Sequence, residues 1–187
     1  MKYNEYLQGV NKTWKKADGI RELMHCRLAI MEEVGEIAGW YKKYFGYGRP
    51  KDEKWKVGIK GEFGDLLYYL TKLSDITRCE AVVESYFEDV LPQMDTIIDI
   101  DHVGVISGMS EKATCLVSHS WHSDDFTEAL EELFISLRIL IEDEGWVLED
   151  IQISNLSKLE IRHGKQFNQN STTEEGRDRN AENQALS

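Results

Sequence analysis

A chain of 187 residues with 41% hydrophobic and 30% charged side chains carries enough apolar material for one packed core, which excludes a disordered polymer. Its net charge of -12 argues against a nucleic-acid partner, because gripping that backbone takes a basic surface. No apolar run approaches the roughly 18 residues of a membrane span, so no membrane partner is expected either.

Only Pro50 and Pro92 interrupt the chain, which leaves room for long helices and points to an all-α fold. The opening residues, MKYNEYLQGVNKTW, lack the apolar core of a signal peptide, and a cytoplasmic location is expected. Residues 3 to 17 set Tyr6, Val10 and Trp14 at four-residue intervals, the stripe of a short helix that Asp18 and Gly19 end. A longer helix follows from Arg21 to about Phe45, and GYGRPKD over 46 to 52 reads as a turn. The third helix, starting at Glu53 or Gly61 and ending at Thr77, is apolar on most sides through Leu66, Leu67, Tyr68, Tyr69, Leu70 and Leu73. A fourth is expected over 80 to 100 with an interruption at Pro92, and DHVGVISGMS after it reads as a loop. Short helical character returns over 111 to 121, and clearer helices over 125 to 144 and 148 to 163. Residues 168 to 187 form a polar tail, expected to be mobile unless a ligand or partner orders it. Cys26, Cys79 and Cys115 fall in no metal-like pair and read as incidental thiols.

Carboxylates concentrate on two of these helices. MEEVGEIAGW holds Glu32, Glu33 and Glu36 within one turn, and GEFGDLLYYL holds Glu62 and Asp65 one turn apart. Acids at i and i+3 share a face, and like charges so placed need compensation. A solvated face is one reading; the other is a metal site, since Phe63, Leu66 and Leu67 embed the second pair in apolar surroundings. The residues by themselves leave both open.

The pattern Glu32-Glu33-Val34-Gly35-Glu36 followed by Glu62-Phe63-Gly64-Asp65 and the apolar LLYYL resembles the signature of the MazG-like all-α nucleoside triphosphate pyrophosphohydrolases, a superfamily that includes the dimeric dUTPases. Asn155-Leu-Ser-Lys158-Leu159-Glu-Ile-Arg162 is similar to that family's closing segment, and Arg177-Asp178 to its arginine-bearing continuation. The resemblance covers residues 20 to 78 and 126 to 180, with 80 to 125 an enlarged connecting segment in a single domain over 1 to 167. It implies a helical bundle whose two central antiparallel helices carry the acidic metal site, with Glu33, Glu36, Glu62 and Asp65 as ligands and Glu32 in support. Glu33 or Glu36 would take a proton from the attacking water. Asn155, Lys158, Arg162 and Arg177 would approach the phosphates. Hard oxygen donors imply Mg2+, with Mn2+ as a substitute and more than one ion when substrate is bound. The implied reaction converts a (deoxy)nucleoside triphosphate and water to the monophosphate and pyrophosphate, in a homo-oligomer, dimer or tetramer.

Other features are weighed against simpler accounts. Trp14 and Trp40 are candidates to stack a base, although such aromatics more often serve as core. Lys42, Lys43, Lys54, Lys56 and Lys60 lie near the acids, with a solvated face as default. Glu22-x-x-His25 and Glu160-x-x-His163 match half of a di-iron pattern, but Glu22 and His25 share a helix with Glu33 and Glu36, which is the wrong distribution. His119, His122, Asp124 and Asp125 lack the partners of a zinc site, and Asp124 or Asp125 reads as a helix N-cap. Asp65-LLYYLTKL lies over Glu132-LFISLRIL with Ala129 in place of Glu62; if the two are related, the second copy has lost its metal site. The competing function is a non-catalytic helical nucleotide-binding or interaction protein that keeps the fold.

Overall fold

Side-chain caps fix where four of the helices begin. In the structure, a computed structural model that describes residues 1–87, 100–164 and 178–186, helix α1 spans Tyr3–Thr13 and buries Tyr3, Tyr6, Val10 and Thr13 along one face. It stops short of residue 17 because Trp14 is already extended, at φ -72° and ψ 131°. Helix α2 spans Gly19–Tyr47, and the Asp18 carboxylate accepts the Arg21 N–H at 3.1 Å to satisfy its first turn. Gly48 ends it at φ 62°, a left-handed conformation that costs glycine little.

Helix α3 spans Glu53–Thr77, capped by Asp52, which accepts the Trp55 N–H at 2.9 Å. The pairings between α2 and α3 run in opposite directions along the chain. Trp40 meets Trp55, Glu33 meets Glu62 and Asp65, and His25 meets Tyr69, so the two helices form an antiparallel hairpin. At Gly58 a side chain would be impossible without rearrangement, because a Cβ there would stand 2.0 Å from Cζ2 of Trp40. The bare backbone lets α2 and α3 close together beside the acids.

Beyond α3 come a single turn of helix α4, Glu80–Val83, and a 3₁₀ turn over Glu84–Phe87. A continuous helix was expected from residue 80; up to Phe87 the chain instead makes these two short turns, and Pro92 lies outside the described residues. Phe87 packs edge-on against Tyr3 at 5.2 Å, and Arg138 reaches back to the Tyr86 carbonyl at 2.6 Å.

Helix α5, His102–Ser118, replaces the loop expected over DHVGVISGMS and runs on through most of the short helix expected over 111 to 121. Asp101 starts it by accepting the Gly104 N–H at 3.0 Å, and burial of Ile106, Met109, Ala113 and Leu116 outweighs the low helix propensity of Gly104 and Gly108. Helix α6 spans Asp124–Asp143; its cap is Ser123, which accepts the Phe126 N–H at 3.3 Å, and not Asp124 or Asp125. Helix α7 spans Leu148–His163, and α8 spans Arg179–Leu186. The tail read as polar and mobile thus contains a helix, anchored by buried Glu182 and Leu186.

Helix α3 lies at the centre and packs on α1, α2, α6, α7 and α8, while α5 packs between α2 and α6. One apolar core runs through the helices from Tyr3 to Leu159. The described residues are helical without a strand, and no helix among them is long and apolar enough to cross a membrane.

Candidate functional site

The α2–α3 hairpin brings Glu33, Glu62 and Asp65 together, each offering a carboxylate oxygen within 4.8 Å of the others. Helical spacing explains the convergence. Glu62 and Asp65 leave α3 on the same side, and Glu33 faces them from one turn of α2. Burial raises the Glu33 carboxyl well above the ordinary carboxylate range, and Asp65, Glu62 and Glu36 push it the same way while Lys158 opposes them. Burial also raises Glu62, reinforced by Glu36 and Asp65, against a lowering hydrogen bond from Trp40. Glu33 and Glu62, half-buried with too little positive charge beside them, favour either protons or a cation. Their hard oxygens make a donor set suited to a divalent ion such as Mg2+. Glu36 and Glu32 are more exposed and stand at the rim of the same cleft, outside that group of three.

Two of the inner acids, Glu62 and Asp65, are held by dedicated donors. Trp40 Nε1 donates to Glu62 Oε1 at 3.1 Å, and Lys43 Nζ lies 3.9 Å from the Trp40 ring centre. Trp40, a candidate to stack a base, thus gives its indole N–H to Glu62, and one of its faces carries a cation. Asn155 Nδ2 donates to Asp65 Oδ1 at 3.0 Å, and Asn155 Oδ1 accepts from the Tyr6 hydroxyl at 2.9 Å. Asn155 is fully buried behind Asp65, against Gly64, where a Cβ would come within 2.9 Å of the asparagine Cβ. Its position makes it a brace for Asp65 and keeps it away from any phosphate in the cleft. Lys158 Nζ donates to Asp65 Oδ2 at 2.5 Å and faces the cleft.

Arg162 also lines the cleft, one helical turn beyond Lys158, but its guanidinium is engaged. Nε and Nη2 donate to the two Glu182 oxygens at 3.2 and 2.8 Å. The carboxylate of α8 sits where the two-pronged geometry would suit a phosphate. Arg177 lies outside the described residues. Nothing in the polarity of the C-terminal sequence distinguishes Glu182 from its neighbours, so its partnership was invisible before folding.

The cleft encloses about 750 Å³ between α2, α3, α7 and α8. Trp14, His25, Tyr68 and Tyr69 build its aromatic wall; Trp14 stacks on His25 at 5.0 Å and is itself buried, with no hydrogen-bond partner for its Nε1 among the described residues. Partial burial, then nearby Lys15, lowers the His25 pKa, with Glu22 and Glu32 opposing. Lys15 enters the lining, whereas Lys42, Lys43, Lys54, Lys56 and Lys60 are absent from it among the described residues. Sequence reading passed over Lys15, although it adjoins Trp14, and took Tyr68 and Tyr69 for packing.

The remaining motif residues have other partners. Glu22 accepts the Ala17 N–H at 2.9 Å, and the His119 ring lies 3.3 Å from Cys115 Sγ. Glu132, the counterpart of Asp65 in the second leucine-rich helix, pairs with Lys112 at 2.8 Å, and Ala129 is buried. A second group that brings donors together, His102, Asp143 and Glu144, is tied internally: His102 bonds Asp143 at 2.6 Å, and Lys51 bonds Glu144 at 2.5 Å. The Lys51 charge disfavours a cation there. No protein-family model, curated protein or solved structure matches the chain.

Proposed function

We propose that this protein is a divalent-metal-dependent nucleoside triphosphate pyrophosphohydrolase of the MazG-like kind, producing a nucleoside monophosphate and pyrophosphate for nucleotide-pool control. The observation that carries the reading is the convergence of Glu33, Glu62 and Asp65 from two antiparallel helices in a cleft with an aromatic wall and four cationic side chains, Lys15, Lys158, Arg162 and Arg179. Glu33, Glu62 and Asp65 would hold Mg2+ or Mn2+, with Glu36 and Glu32 close enough at the rim to help when substrate brings further ions. Bound there, the metal supplies neutralisation of the polyphosphate charge and acidification of water.

The chain's own residues have separable tasks. Trp40 fixes Glu62, and Asn155 fixes Asp65, so neither carboxylate must reorganise during turnover. Glu33, or Glu36 beside it, accepts the proton that water gives up as its oxygen attacks phosphorus, and the α–β anhydride bond breaks to release pyrophosphate. Lys158 and Arg162 stand on the α7 side to receive phosphate oxygens, Arg162 once it exchanges Glu182 for substrate. The Trp14, Tyr69 and His25 wall offers an apolar surface for a base. A (deoxy)nucleoside triphosphate is the substrate class, in a cytoplasmic homo-oligomer.

A non-catalytic helical nucleotide-binding or interaction protein has one observation in its favour: Lys158 and Arg162 are both paired to carboxylates of the same chain. Pyrophosphate release decides between the two. With a panel of canonical and deoxy triphosphates, the parent should release pyrophosphate only with Mg2+ or Mn2+, and Glu33→Gln and Asp65→Asn should each lower kcat by about 10²–10⁴. Failure of every nucleotide, or variants that match the parent, overturns the enzymatic reading.

A further inference from the structure

Helix α8 presents a polar stripe to the cleft. Arg179, Glu182, Asn183 and Leu186 all line it, at the i, i+3, i+4, i+7 spacing of one helix face. The stripe by which a helix docks on a core is ordinarily apolar, whereas Leu186 alone is apolar in this one. The buried residues of α8 are Glu182 and Leu186. Leu186 rests against α3 at Gly61, where a Cβ would stand 3.3 Å from its Cδ1, next in sequence to Glu62 of the acid cluster. Glu182 is 3% exposed and engages the Arg162 guanidinium with both oxygens.

A carboxylate held by a two-pronged guanidinium presents the same sign of charge and the same pair of acceptors as two oxygens of a phosphoryl group. Glu182 therefore occupies the donors of Arg162 that an anion in the cleft needs. An eight-residue helix is too short to persist by itself in water, so α8 depends on its docking. An anion that takes Arg162 removes one of the two buried anchors and deprives the Glu182 carboxylate of its bidentate partner. Docking of α8 and occupation of Arg162 by a phosphoryl group compete for the same donors.

We propose that α8 is an autoinhibitory latch, in which Glu182 stands in for a phosphoryl group on Arg162 and a polyphosphate entering the cleft displaces it and undocks the helix. The latch rests on the reading of Arg162 as a receiver of phosphate oxygens, and adds that the phosphates must compete with the chain's own carboxylate. The coupling is reciprocal: a change that weakens α8 docking tightens anion binding by the same factor.

Hydrogen exchange of residues 179–186 in the full chain, in metal-free buffer, reads the latch without turnover. Saturating inorganic pyrophosphate should speed exchange there about tenfold and leave α5 unchanged. A nucleoside triphosphate run in parallel separates the sources of the phosphoryl group: acceleration by both assigns the trigger to the phosphates, and acceleration by the triphosphate alone assigns it to the substrate. Calorimetric affinity for pyrophosphate, or for the triphosphate in that second case, should rise about tenfold in Glu182→Gln. Leu186→Ser, which frees α8 without altering the partner of Arg162, should raise it as well. Exchange that neither anion accelerates overturns the latch, as does an affinity in Glu182→Gln equal to the parent's. Weaker anion binding by Leu186→Ser overturns it too, since α8 would then assist the bound anion through Arg179. Pyrophosphate release enters none of these measurements, so the latch and the proposed activity fail separately.

Discussion

Replacing Asn155 by alanine removes two hydrogen bonds from the interior at once. The Tyr6 hydroxyl, on a fully buried ring, loses its acceptor, and Asp65 Oδ1 loses its donor. Leaving buried polar groups unsatisfied costs about 2–3 kcal/mol here, so Asn155→Ala should lower the unfolding free energy by that amount, read as a lower urea midpoint, and also lower pyrophosphate release. An unchanged midpoint would mean that the brace contributes nothing. The asparagine was legible as part of a motif, but its direction was not: a spacing of residues along α7 does not say which of them turns inward. The cleft lining settles it, because Lys158 and Arg162 border the cleft while Asn155 is buried away from it. Glu33, Glu62 and Asp65 were readable as acids sharing helix faces, since that follows from helix period alone. That Glu36 stands apart from the three depends on the rotation of α2 against α3, which no local pattern encodes.

Among the elements, the helices that were misread share one cause. The start of α5 looked like a loop because two glycines and β-branched residues lower its intrinsic propensity, and its docking on α2 and α6 supplies what propensity lacks. The polar sequence of α8 hides the Arg162–Glu182 pair and the seat of Leu186 beside Gly61. Removing one partner of that pair strands a charge at the other, so Glu182→Gln should destabilise the protein by about 2 kcal/mol in thermal or denaturant unfolding. Unchanged stability would show that α8 docks without it. The α2–α3 hairpin makes a sharper demand. In Gly58→Ala the new methyl collides with the Trp40 ring, and overpacking of this kind costs about 1–3 kcal/mol. Because the displaced indole also holds Glu62, the variant should lose metal affinity as well as stability, measurable by Mn2+ titration. Loss of stability with metal affinity intact would separate the two roles.

At the scale of the whole molecule, folding draws protons onto the acid cluster. Glu33 and Glu62 hold protons more tightly in the folded chain than in the unfolded one, where their carboxyls return to about 4.5. The folded state therefore binds more protons above that pH, and stability falls as pH rises from about 4.5 through the raised folded values. In metal-free buffer the melting temperature should decline across that window, by about 3 °C for each kcal/mol. A divalent ion competes with those protons, so stabilisation by Mg2+ should grow with pH, and Glu33→Gln should flatten both dependences. A metal-free melting temperature independent of pH would contradict this account. The all-α class was legible from the scarcity of proline and the apolar periods of the long helices. The concentration of charge into one cleft was not, because it arises only when α3 is surrounded by α1, α2, α7 and α8.

Trp40 has a use beyond holding a carboxylate. Of the five tryptophans, it is the one whose indole N–H ends on an acid of the cluster while a lysine ammonium lies over its ring. Indole emission responds to charge and hydrogen bonding at the ring, so ionisation of Glu62, or an ion arriving beside it, changes the colour and yield of this one residue's fluorescence. The protein carries its own optical gauge of site occupancy, readable without a label by comparing the parent with Trp40→Phe.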